Sequence, residues 1–201
     1  LTDTAHVQIP LAPDFKYVKG CLGTPVVFTD LSTFTVGNNI TTWNWNFGDA
    51  GTSTSQNPTH IYSAAGTYIV TLTVGNGVCT STITDTFIIP PLPVAAFSSP
   101  LSACVNSSVS FTDLSTPAGA LNGWSWAFGD AGTSLNQNPT HAYNNIGLYG
   151  ILLQVTDTLG CTDTASASIN VINPSPIGNI TAFPDSIVCA GTPVLLVAPF
   201  C

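Results

Sequence analysis

Apolar and polar residues alternate through several short segments of the chain. In the segment 67–74, Tyr68, Val70, Leu72 and Val74 fall on one face of an extended chain, and threonines and one isoleucine fall on the other. A period of two is typical of a strand with one buried face. Glycine, proline and asparagine separate such segments, so the pattern predicts short antiparallel strands.

A second alternating segment is aromatic. Trp43, Trp45 and Phe47 share one face at a period of two and are separated by asparagines. The segment 48–51, Gly-Asp-Ala-Gly, follows directly and has the composition of a turn, because glycine permits positive φ and Asp bonds local amides. We expect Trp45 to lie in a core. An exposed Trp43 would instead suit a platform for stacking sugars.

The chain repeats itself after about 80 residues. Three segments recur in the same order: Phe28–Ser32 as Phe111–Ser115, Trp43–Ser53 as Trp124–Ser134, and Gln56–His60 as Gln137–His141. We therefore expect two similar units in tandem, with Trp124 and Trp126 in the places of Trp43 and Trp45.

Prolines at 90–93 and 174–176 mark the unit boundaries and predict stiff, extended linkers. We expect residues 1–11 to form the last strand of a preceding repeat plus a linker. Residues 12–90 and 91–173 form the two complete units, and residues 174–201 begin a third, truncated immunoglobulin-like domain. The fold class is all-β, with tandem antiparallel β-sandwiches joined by proline-containing linkers.

Charge is sparse and acidic. Only 6% of the residues are charged, the formal net charge is −8, and the sequence pI is about 4.1. Such a chain cannot neutralise phosphates, which argues against nucleic acid as a partner. No segment is apolar over the roughly 18–20 residues that cross a bilayer, so we expect no membrane insertion in this segment.

Six cysteines stand far apart and form no Cys-x-x-Cys pair of the kind found in zinc or redox sites. Disulfides are the better interpretation, and they imply an extracellular location. Because Cys21 aligns with Cys104, and Cys79 with Cys161, we predict one bridge inside each unit. The expected pairs are Cys21–Cys79 and Cys104–Cys161, while Cys189 pairs with Cys201 or with a residue beyond the chain.

Catalytic machinery is absent from the sequence pattern. There is no nucleophile elbow, phosphate loop or His-Glu-x-x-His helix, and glutamate does not occur at all. We predict no enzyme activity and no catalytic, cofactor-binding or metal site. His60 and His141 are expected to bond nearby loops, and Asp49 and Asp130 to cap turns, with calcium binding left open.

These residues resemble the PKD (polycystic kidney disease) domain family, whose hallmark is a Trp-x-Trp-x-Phe-Gly-Asp strand and turn. The motif stands at 43–49 and 124–130, and the resemblance covers roughly residues 12–90 and 94–173. It implies an immunoglobulin-like sandwich in which Tyr68 and Tyr149 form tyrosine corners. Ala50 and Ala131 replace the glycine usual after the aspartate.

The paired cysteines and the tandem arrangement also resemble surface proteins that gliding bacteria export by type IX secretion. That resemblance implies a stalk, filament or adhesin segment at the cell surface. Its partners would be other repeats of the chain, surface glycans or neighbouring subunits. The alternative is an accessory carbohydrate-binding or spacer module of a secreted hydrolase. Four sites resemble the O-glycosylation acceptors of the same bacteria: Thr4, Thr158, Thr164 and Ser186.

Overall fold

A computed structural model describes residues 11–34, 39–117 and 120–173 of the chain. The predicted glycosylation sites Thr4 and Ser186, and the cysteines Cys189 and Cys201, lie outside these ranges. Within them the chain forms strands in this order: β1 Phe15–Val18, β2 Pro25–Asp30, β3 Thr42–Asn46, β4 Thr52–Ser53, β5 Thr59–Ile61, β6 Gly66–Gly75, β7 Thr80–Ile89, β8 Phe97–Ser98, β9 Ser102–Cys104, β10 Ser108–Ser110, β11 Thr112–Asp113, β12 Leu121–Ala127, β13 Thr133–Ser134, β14 Thr140–Ala142, β15 Gly147–Asp157 and β16 Thr162–Ile172.

The chain divides into two compact units. Among the described residues, unit 1 contains those up to Leu92 together with the turn Thr158–Cys161, and unit 2 contains those from Pro93 to Asp157 and from Thr162 to residue 173. The all-β prediction is confirmed, because apart from a 3₁₀ turn at Ala120 the regular elements of the described residues are strands. These residues hold no helix long and apolar enough to cross a membrane.

Unit 1 is a sandwich of two antiparallel sheets with the strand orders β1-β2-β5 and β4-β3-β6-β7. The inward side chains of both sheets form one core, as the period-two pattern requires. Phe28 comes from the first sheet, and Trp45, Leu72 and Phe87 come from the second; each is fully buried.

Unit 2 has a similar large sheet with one strand added, while its smaller strands form two two-stranded sheets, β11-β8 and β10-β14. Its large sheet has the order β13-β12-β15-β16-β9, and β9 lies parallel to β16, whereas the other strand pairs of this unit are antiparallel. Phe111, Trp126, Leu153 and Ile169 fill the core. The faces predicted from the sequence are therefore the faces that the two units bury.

The predicted cysteine pairing is wrong. Cys21 is bonded to Cys161, 140 residues away, instead of to Cys79, and this bridge also excludes the Cys104–Cys161 pair. Cys104 is disulfide-bonded as well. The Cα atoms of Cys21 and Cys161 are 5.6 Å apart, a normal bridging separation. The repeat identifies equivalent cysteines, but only the fold shows that the turn Thr158–Cys161 belongs to unit 1.

Candidate functional site

The two inner tryptophans are structural. Trp45 is fully buried, and its indole nitrogen Nε1 donates a hydrogen bond to the carbonyl of Ser55 at 3.0 Å. Trp126 is buried in the same way and donates to the carbonyl of Asn136 at 2.9 Å. Because both rings are buried, a sugar cannot stack on them.

The outer tryptophan of unit 1 is tied to a carboxylate. Trp43, which is partly buried, donates from Nε1 to Oδ2 of Asp30 at 2.7 Å, and Gln56 donates to the same oxygen at 3.1 Å. The other oxygen, Oδ1, accepts the backbone N–H of Ser32 at 3.0 Å. Both carboxylate oxygens of Asp30 are therefore occupied by neutral donors.

These donors control the ionisation of Asp30. Burial alone would raise its pKa, but the hydrogen bonds from Ser32, Trp43 and Gln56 outweigh burial and hold the pKa below its usual value. The carboxylate is therefore ionised at neutral pH and held in place by donors from three segments.

Unit 2 contains the same arrangement. Trp124 donates to Oδ2 of Asp113 at 2.8 Å, Gln137 donates to it at 3.0 Å, and the N–H of Ser115 lies 3.0 Å from Oδ1. The roles of Gln56 and Gln137 were not predicted, although their recurrence in the repeat was the available signal. The parts of the chain that the structure describes contain no group of three His, Cys, Asp or Glu side chains placed to hold a metal.

Each unit also carries an Asp–His pair. Nε2 of His60 lies 2.7 Å from Oδ2 of Asp49, and the ring of His60 stacks on Phe47 with centroids 4.2 Å apart. The turn itself is closed by the N–H of Gly51, which donates to Oδ1 of Asp49 at 3.0 Å. Burial would raise the pKa of Asp49, but the hydrogen bonds from His60 and Gly51 and the attraction to His60 lower it. This geometry fixes the turn to β5.

Tyrosine hydroxyls bond the backbone in both units. Tyr68 donates to the carbonyl of Ala64 at 2.7 Å, and Tyr149 donates to that of Asn145 at 3.0 Å. Tyr143 is fully buried and donates to the carbonyl of Phe128. Burial, followed by the nearby charge of Asp130, raises the pKa of Tyr143 to about 12. The Tyr143 hydroxyl therefore stays protonated at neutral pH, and all three hydroxyls hold backbone segments of the fold in place.

Two of the predicted glycosylation sites are described. Thr158 is exposed in the turn after β15, and Thr164 is exposed on β16, where it lies opposite Gln154. Glycosylation itself stays a prediction.

Comparison with known proteins gives a consistent picture. The PKD domain family model matches residues 8–89 and again residues 90–171. The chain is 32% identical over 120 residues to collagenase ColA of Clostridium perfringens, covering 59% of this chain and 11% of that protein. It is 37% identical over 67 residues to a microbial collagenase of Vibrio alginolyticus, covering 32% of this chain and 8% of that protein.

Among solved structures, an I-band fragment of titin spanning I67–I69 matches with a TM-score of 0.52. The sequence identity is 13%, and the match covers 83% of this chain and 67% of the titin fragment. At that identity the likeness concerns the fold alone, which is a tandem of immunoglobulin-like sandwiches.

Proposed function

Because the chain belongs to the PKD-domain family, we propose that it is a non-catalytic accessory segment of a larger extracellular hydrolase, where it binds a collagen-like substrate. The two relatives described above are named collagenases, and this chain covers 11% of the length of one and 8% of the length of the other. That similarity is the observation that carries the proposal.

The contacts inside each unit give its recurrent carboxylates a structural role. The carboxylates of Asp30 and Asp113 are engaged by indole, amide and backbone donors, and the Asp49–His60 pair is packed against Phe47. Groups held in this way stabilise the sandwich and are not aimed at a substrate. In this proposal the segment binds the collagen-like substrate, and another part of the protein catalyses its hydrolysis.

A stalk, filament or adhesin segment of a cell-surface protein is the second candidate. The tandem arrangement of two PKD units favours it. Export by type IX secretion in gliding bacteria stays a prediction. Electron microscopy of the intact parent protein separates the two candidates: fibres or long stalks on the cell surface support the second, and a dispersed secreted particle supports the first.

Co-sedimentation tests the proposed function. The purified chain, kept oxidised, is mixed with insoluble collagen fibrils and, in parallel, with cellulose and chitin powders. We expect saturable removal of the chain from solution by collagen and no release of soluble collagen peptides. If the chain stays in solution with collagen and with both polysaccharides, the proposal of a binding module is refuted. If only cellulose or chitin removes it from solution, the substrate is a carbohydrate instead.

A further inference from the structure

One outer face of unit 1 is apolar and cationic in a chain that is otherwise acidic. The sheet β1-β2-β5 buries one face in the core and turns the other to solvent. The outward side chains of this sheet include Lys16, Val18, Pro25, Val27 and Ile61. We refer to these five residues as the Lys16 patch.

Strand register makes the Lys16 patch continuous. Val18 lies directly opposite Val27, and Pro25 lies directly opposite Ile61. Directly paired residues share a face with Cβ atoms about 4.5–5.5 Å apart, and Pro25 and Val27 are two residues apart on one strand. The four apolar side chains therefore lie next to one another on the outer face of the sheet.

These apolar side chains are open to solvent. Val18 is 66% exposed, Val27 is 44% exposed and Ile61 is 54% exposed. Single exposed apolar residues are ordinary, but a contiguous block of them beside charged residues is characteristic of an interaction surface.

Unit 2 provides an internal comparison. Four of the five patch positions have paired equivalents, and these are small or hydroxylated: Ser98 for Lys16, Ser108 for Pro25, Ser110 for Val27 and Ala142 for Ile61. Val18 has no paired equivalent, because β8 ends at Ser98. The fold itself therefore does not require an apolar outer face at this place. The exposed aliphatic residues of unit 1 are therefore not explained by the fold that the two units share.

The positive charge is concentrated at the same place. Lys16 and Lys19 are the two basic residues of the whole chain, against ten acidic residues. Lys16 lies in the patch, and Lys19 follows Val18 directly; both are exposed. Across residues 11–34, 39–117 and 120–173, neither lysine forms an ion pair. Their ammonium groups are available to a partner.

We propose that the Lys16 patch is the surface with which this segment binds the collagen triple helix. The inference rests on the proposed function and adds the binding residues. Collagen presents proline rings along an extended, rod-like helix. Flat aliphatic side chains of a sheet pack against such rings, while Lys16 and Lys19 pair with acidic side chains of the helix. The outer face of unit 2, with serine and alanine there, contributes little.

Matched variants of the two units test this assignment by co-sedimentation with collagen fibrils. Val27→Ser with Ile61→Ala gives unit 1 the side chains of unit 2, and Lys16→Gln with Lys19→Gln removes the charge. We expect each pair to weaken binding about tenfold, the loss common for central interface residues. The control, Ser108→Ala with Ser110→Ala in unit 2, leaves binding unchanged.

A gain-of-function variant distinguishes loss of the binding surface from misfolding of unit 1. Ser98→Lys, Ser110→Val and Ala142→Ile place three of the five patch side chains on unit 2 and should restore part of the binding to a chain whose unit 1 patch has been removed. If the natural chain binds collagen and both unit 1 double variants bind it equally well, the patch is overturned and the proposed function still stands. Failure of the natural chain to bind collagen at all would overturn both.

Discussion

Nε2 of His60 lies 2.7 Å from Oδ2 of Asp49, and Nε2 of His141 lies 2.8 Å from Oδ2 of Asp130 in the second unit. In each pair, about a fifth of the surface of each of the two side chains is exposed to solvent. The pair connects the turn after the aromatic strand to β5 or β14, so one contact holds two segments that are distant in sequence.

Asp49→Asn should therefore destabilise unit 1. Loss of a charge-assisted hydrogen bond at a partly exposed site lowers the free energy of unfolding by about 1 kcal/mol. Urea denaturation followed by tryptophan fluorescence measures the change. Asp130→Asn is the matched variant and should act on unit 2 by a similar amount; an unchanged midpoint in both would show that the pair contributes nothing.

Acid should weaken both units. Hydrogen bonds hold the pKa values of Asp30, Asp49, Asp113 and Asp130 below their usual value against the opposing effect of burial. A carboxylate whose pKa is lower in the folded state than in the unfolded state, where it is about 3.9, stabilises the folded state. Its full contribution is present at pH values above the unfolded-state pKa. This contribution disappears as the pH falls through the folded-state values.

Thermal unfolding between pH 7 and pH 2 measures this effect. The melting temperature should be nearly constant down to about pH 5 and then fall steeply. In an Asp30→Asn, Asp113→Asn chain the fall should be shallower, because two of the linked groups no longer titrate. An equally steep fall in that variant would mean that other groups cause the acid sensitivity.

Backbone strain in the turns offers a stabilising change. Ala50 has φ of 73° and Ala131 has φ of 71°, a left-handed conformation in which a side chain crowds the following carbonyl. Replacing Ala50 by glycine should raise the stability of unit 1 by about 0.5–1 kcal/mol. Chemical denaturation tests this, with Gly51→Ala as the opposite control, since its Cβ would lie 2.5 Å from Cε1 of His60.

Much of the fold follows from patterns in the sequence. Period-two alternation placed Val70, Leu72 and Val74 on the buried face, and all three are fully buried. The aromatic alternation likewise placed Trp45 in the core, where it is fully buried. Such predictions succeed because the pleat of a strand converts sequence spacing directly into a choice of face.

The cysteine partners and the Lys16 patch could not be predicted in the same way. A repeat alignment shows that Cys79 and Cys161 are equivalent, but the choice between them for Cys21 depends on which turn comes near it in three dimensions. Val27 and Ile61 look like core residues in composition. Only the register, which aligns Val18 with Val27 and Pro25 with Ile61, shows that they share an outer face.

Peptide mapping under non-reducing conditions checks the disulfide. We expect a linked peptide that contains Cys21 and Cys161, and recovery of a Cys21–Cys79 peptide would contradict it. A bridge across 140 residues stabilises the chain by about 5 kcal/mol in the chain-entropy model. Cys21→Ser with Cys161→Ser should therefore lower the melting temperature clearly.

The most direct test of the accessory role uses the parent protein with and without this segment. Initial rates are compared on insoluble collagen fibrils and on a short soluble collagen peptide. An accessory binding segment predicts that deleting residues 11–173 slows attack on the fibrils severalfold and leaves the rate on the soluble peptide unchanged. Equal rates on fibrils with and without the segment, or loss of activity on the soluble peptide, would contradict the proposed function.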